Sequence, residues 1–166
     1  MNMSARNASR KAAACKWAFV LFYLLSSTSV ARAGSWNGIE PLKSRRDDVL
    51  KILGKPEHEG ESGTLRFAVA GGMVTISFVD DKFVNTKKLR SDLAGTVLEI
   101  VLQHERSSNT PESMKLLNNK GFARDETGNA AIFRNPKEGI VYTFLDGKLK
   151  TTRYTFSDAQ LGRARR

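Results

Sequence analysis

The chain has 166 residues, 40% hydrophobic and 27% charged, with a formal net charge of +10. That length and balance fit one globular domain and exclude collagen-like, low-complexity and multi-span membrane chains. Five of the 27 Lys and Arg fall in the acid-free residues 1–33 and three are Arg163, Arg165 and Arg166, leaving 19 bases against 17 acids in the body, so no nucleic-acid partner is expected.

The first 33 residues read as a signal peptide. Arg6, Arg10, Lys11 and Lys16 precede the apolar run "WAFVLFYLL", and Ala31-Arg32-Ala33 is a small-x-small cleavage site. The apolar run is too short for a membrane span of about 20 residues. Cleavage between Ala33 and Gly34 is expected, giving an exported protein, periplasmic or extracellular, with no transmembrane span in its mature part. The lone cysteine, Cys15, lies within the leader. The mature chain therefore has no disulfide, no thiol nucleophile and no cysteine metal ligand, and it must rest on an apolar core.

In the mature part, "PLKSRRDDVLKILGKP" (41–56) marks a helix at both ends. Ser44 is the expected N-cap, Asp47 and Asp48 suit the positive helix end, and Gly54 with Pro56 ends it. Val49, Ile52 and Leu53 form an inward stripe, which leaves Arg45, Arg46 and Lys51 outward, available to a partner. "EHEGESG" then reads as an acidic loop. Residues 64–79 alternate with period two, Leu65, Phe67 and Val69 on one face and Val74, Ile76 and Phe78 likewise, with Gly71-Gly72 as the hairpin turn. Residues 80–95 lack a period and read as a loop. Residues 96–105 read as a strand with Leu98, Ile100 and Leu102 on one face.

A second helix is expected from N-cap Thr110 and Pro111 to Gly121, with Met114, Leu116 and Leu117 at its inward positions. Residues 130–135 read as a strand and 138–156 as a hairpin turning at Asp146-Gly147. Residues 158–166 lose their pattern and read as a disordered basic tail. The expected architecture is α+β: a single domain over 34–157 with one antiparallel twisted sheet and two short helices packed on one face. The repeated order of a helix and about three strands, over 40–104 and 110–157, suggests two αβββ halves. The other sheet face is expected to be open, with Thr75, Ser77, Glu99, Gln103, Thr143, Lys150 and Thr152 on it, and open sheet faces are docking surfaces.

Trp36, Gly38, Ile39, Pro41, Leu42, Ser44, Arg46, Asp48, Val49, Leu53, Gly54 and Pro56 follow a Trp-x-Gly-Ile-x-Pro-Leu-x-Ser-Thr-Arg-x-Asp-Val…Leu-Gly-x-Pro pattern, with Arg45 in place of Thr. Asn135, Gly139, Ile140 and Tyr142 follow Asn-x-x-x-Gly-Ile-x-Tyr, continued by Asp146, Gly147 and Tyr154. With these motifs the chain, over most of 36–157, resembles a family of small exported bacterial proteins of unknown function. Members of that family often carry cysteines in the middle loop and near the C-terminus, which this mature chain lacks. More distantly, a helix, Leu-Gly-x-Pro and a hairpin are similar to the outer-membrane-assembly lipoprotein domain and to the tandem fold of a secreted β-lactamase inhibitor. That likeness implies binding or scaffolding rather than catalysis, by fold analogy alone.

Candidate chemistry is sparse. His58 and His104, with Glu57, Glu59, Glu61 or Glu105, are weak zinc candidates, since no fixed ligand spacing joins them. Asp80 and Asp81, with Asp92 or Glu99, could supply paired carboxylates for glycoside chemistry. No serine elbow or phosphate loop is present. The expectation is a non-catalytic binding module without a cofactor, taking an unknown protein or envelope component through Trp36, Arg45, Arg46, Glu99, Gln103 and Lys150. A small metal-dependent or carboxylate-based hydrolase and a cell-envelope scaffold are the alternatives.

Overall fold

The computed structural model describes residues 34–60 and 62–165; residues 1–33, and with them the expected leader, lie outside the described residues. The architecture is α+β and dominated by one antiparallel sheet of eight strands. The strands are β1 His58–Glu59, β2 Leu65–Val69, β3 Gly72–Phe78, β4 Val97–His104, β5 Ala123–Thr127, β6 Ala130–Asn135, β7 Ile140–Leu145 and β8 Lys148–Thr155. The helices are α1 Arg46–Leu53, α2 Asp81–Lys87 and α3 Asp158–Ala164. The spatial order β1-β2-β3-β4-β8-β7-β6-β5 joins the two sequence halves at the β4–β8 seam.

The register is two-fold about one residue pair. Val101 faces Arg153 across the seam, Ile100 faces Tyr154 and Leu102 faces Thr152. Stepping outward on either side, Ile76 lies opposite Leu65 as Tyr142 lies opposite Phe133. The irregularities match as well. The β3–β4 ladder skips Leu98 between Ser77–Glu99 and Phe78–Val97, and the β7–β8 ladder skips Lys150 between Thr143–Thr151 and Phe144–Leu149.

Alternation along the strands builds the core. Leu65, Phe67, Val74, Ile76, Val97 and Ile100 are buried with Ile39 and Val49, and Leu50, Leu53 and Trp36 pack against them. On the other half, Phe133, Phe144 and Leu149 are buried with Leu116, and the Phe133 and Phe144 rings meet edge to face at 5.6 Å. A third cluster joins Val79, Val84, Leu89 and Leu93 to Ala164 of α3.

Several local expectations change. The N-cap of α1 is Arg45, whose backbone N–H donates to Asp48 at 2.9 Å, whereas Ser44 Oγ accepts from the Glu40 N–H at 3.0 Å. Residues 80–95 are not a loop: Asp80 caps α2 by accepting from the Phe83 N–H, and Ser91–Leu93 forms one 3-10 turn. At two turns or less, these elements are too short to show a period.

The expected second helix ends after one turn. Thr110 Oγ1 accepts from the Ser113 N–H, as an N-cap should. Lys115 then takes φ 55°, and the Leu116 and Lys115 N–H groups donate to Pro111 and Glu112 carbonyls, a Schellman stop. Burial of Leu116 against the sheet fixes that stop, and Leu117, expected inward, is 41% exposed.

Residues 158–164 are helical rather than disordered, because Ser157 and Gln160 form a reciprocal capping box and Ala164 is buried. The Ala70-Gly71 dipeptide makes the first hairpin turn. Gly72 instead allows β3 to approach β4, since a Cβ there would lie 1.9 Å from the Gln103 carbonyl oxygen.

Candidate functional site

Because side chains alternate along each strand, the register also defines the face opposite the core. One row crosses six strands as Arg66, Thr75, Val101, Arg153, Val141 and Arg134. The next row runs Met73, Gln103, Thr151, Thr143 and Ile132, and Ser77 and Glu99 lie on the far side of the first. Arg66, Gln103, Arg153 and Arg134 are exposed, and Met73, Val101, Val141 and Ile132 are half-buried. None of these four apolar side chains belongs to any of the three core clusters. Arg153 lies 3.5 Å from Glu99, and Arg134 lies 3.2 Å from Asp125. Arg66 has no ion-pair partner among the described residues.

This face contains two of the six expected binding residues, Glu99 and Gln103. Trp36 is instead half-buried against the first core cluster, its backbone paired in both directions with Ile39 around an Asn37-Gly38 turn. Arg45 is not available on an outer helix face: its guanidinium donates to the Asp92 carbonyl at 2.7 Å and the Ala94 carbonyl at 3.2 Å, tying α1 to the 3-10 turn. Arg46 pairs with Glu59 at 2.6 Å at the edge of a depression lined also by Leu50, Pro56 and His58. Lys150 occupies the β8 bulge and leaves the alternation of the open face. The bulges also correct two other assignments. Leu98 leaves the face of Ile100 to pack in the third cluster. Thr152, expected to be open, is 4% exposed and lies between Leu102 and Tyr142.

His58 on β1 is exposed, and three strand spacings of about 4.8 Å separate β1 from β4, which carries His104. With their strands about 14 Å apart, the two histidines cannot share a zinc ion with bonds near 2 Å. Among the described residues no three His, Cys, Asp or Glu side chains converge on one point. His104 Nε2 lies 2.9 Å from Thr152 Oγ1, and burial lowers its pKa below the ordinary value of 6.5. Burial raises the Tyr142 and Tyr154 hydroxyls above 10.0. Asp80 Oδ1 accepts from the Phe83 N–H and caps α2, and Asp81 is the first residue of that helix. Gly34 is buried with φ 38°, and a Cβ there would meet the Thr155 carbonyl oxygen at 2.4 Å and that of Gly139 at 2.9 Å.

The apolar residues of the open face were legible in one respect. "EIVLQ" and "GIVYTF" place apolar side chains on both faces of β4 and β7, which a strand with one solvated face does not need. The arginines of the row gave no such signal, since only pairing of distant strands brings them into line.

No family model and no curated protein matches the chain. Among solved structures, an extracellular protein containing a SCP domain from Bacillus anthracis str. Ames is similar, with TM-score 0.39 and 11% identity over 98% of this chain. The chain spans 52% of that protein, about half its length. A likeness at this level assigns neither fold nor activity. Among the described residues no helix is long and apolar enough to cross a membrane.

Proposed function

We infer that this is an exported, non-catalytic binding protein that docks a protein partner on the open sheet face. The observation that carries this reading is the set of four half-buried apolar residues, Met73, Val101, Val141 and Ile132, which no core cluster absorbs. Arg153 separates Val101 from Val141 in one row, Met73 and Ile132 end the next, and protein interfaces are enriched in Met and Arg. Apolar side chains interleaved with charge supply affinity from burial and register from charge. Export rests on the leader pattern of residues 1–33, and processed protein would begin at Gly34. The matching register and bulges about Val101–Arg153 support two related halves, although the second lacks a full helix. The motifs shared with the family of small exported proteins fall on the same frame: Gly54 ends α1, and Asp146-Gly147 turns β7 into β8.

The test compares capture of partners from envelope and medium by the wild-type protein and by two face variants, Arg66→Glu and Val141→Lys. Both positions lie outside the core clusters, so melting temperatures should stay within a few degrees. A partner held by the wild type and lost by both variants supports the reading. A partner held equally by all three moves the interface elsewhere, and capture of none overturns it.

A further inference from the structure

The segment after β4 and the start of β8 form a second, chemically different surface. The Glu105 N–H donates to the Gly71 carbonyl at 3.1 Å, and the Leu149 N–H donates to the Asn109 carbonyl at 2.9 Å. Between these two ties the chain carries Arg106, Ser107 and Ser108, and the Asn109 N–H donates to Ser107 Oγ at 3.2 Å. The ties hold the segment beside Lys148 and Lys150, which flank buried Leu149. The result is a depression of about 550 Å³ lined by Glu105, Arg106, Ser107, Ser108, Lys148 and Lys150. Three cations face one carboxylate there. Arg106, Lys148 and Lys150 have no ion-pair partner among the described residues, whereas Arg46, Arg90, Arg134 and Arg153 each have one. The skipped register at Lys150 matters, because it puts a cation where regular pairing would have enclosed a residue.

We propose that this depression is a binding site for a phosphate-type oxyanion. The cations neutralise its charge and the serine hydroxyls donate to its oxygens, an arrangement in which charge-assisted hydrogen bonds are the strong contacts. Lysines act here as point charges and Arg106 adds a planar donor pair. Glu105 offsets one of the three cations and leaves a net charge of +2, which matches a dianion. The site is independent of the open-face reading and survives its failure.

The experiment titrates the protein with inorganic phosphate and follows backbone amide resonances, with chloride at matched ionic strength as control. A parallel arm measures sedimentation with vesicles containing phosphatidylglycerol. Saturating shifts confined to 105–109 and 148–150, weakened about tenfold or more in Lys148→Ala/Lys150→Ala, are expected, since the variant removes two of the three cations. The exposed Lys150→Glu variant gives a second test that leaves the core untouched. Binding of soluble phosphate assigns a free anion. Binding to vesicles alone, lost in the same variants, assigns a lipid headgroup. Shifts spread over all basic surfaces, or binding unchanged in both variants, overturns the site.

Discussion

At the scale of single residues, His104 is where pH should be felt. Its imidazole is held below its ordinary pKa of 6.5 because burial disfavours the cation. The unfolded chain therefore takes up a proton there at a higher pH than the folded one. The associated stability is fully present above pH 6.5 and is lost as pH falls from 6.5 through the folded value. Urea unfolding from pH 8 to 5 should show the wild type losing stability over that window, and His104→Gln losing less. Equal slopes would mean that the neutral imidazole contributes nothing. Tyr142 and Tyr154 work in the opposite direction: their raised values give stability that is present below pH 10 and lost above it.

At the scale of elements, the aborted turn at 110–116 shows how local signals and packing divide the work. Thr110 and Pro111 wrote the start of that element correctly, but its end was set by Leu116 reaching the Phe133–Phe144 core. Lys115 therefore sits at a left-handed φ of 55°, which costs an ordinary residue roughly 1–2 kcal/mol. Lys115→Gly should stabilise the fold by about 0.5–1 kcal/mol once glycine's extra unfolded-state freedom is deducted; a lower urea midpoint would contradict the Schellman assignment. The hairpins at 64–79 and 138–156 and the strand at 130–135 were legible because alternation and turn residues agree there. β5 was not, since all five of its residues are exposed, although Gly128-Asn129 between Thr127 and Ala130 is a two-residue hairpin loop. Ser157 and Gln160 likewise spelled a capping box before α3. Of the candidate site, Glu99 and Gln103 were readable from alternation, whereas Arg66, Arg153 and Arg134 come into line only through a chain of strand pairings, the most distant of which joins Val101 to Arg153.

At the scale of the whole molecule, the two halves share a continuous ladder. Five residue pairs cross the β4–β8 seam, and Tyr154 of the second half packs on the first core cluster. The halves should therefore unfold as one unit. Trp36 reports on the first core, and far-ultraviolet circular dichroism reports on the entire sheet. Their urea transitions should coincide, as two-state unfolding requires; an early fluorescence transition would show that the halves melt separately. The seam has one more property. On a two-fold axis a residue faces its own counterpart, so two identical chains meeting there would set arginine against arginine or valine against valine. Within one chain the two sides of the seam are free to differ, and Val101 lies opposite Arg153. The centre of the open face is thereby lopsided, greasy on one side and cationic on the other. Under the proposed docking, a partner on this near-symmetric surface would be offered one orientation out of the two that perfect symmetry would have made equivalent.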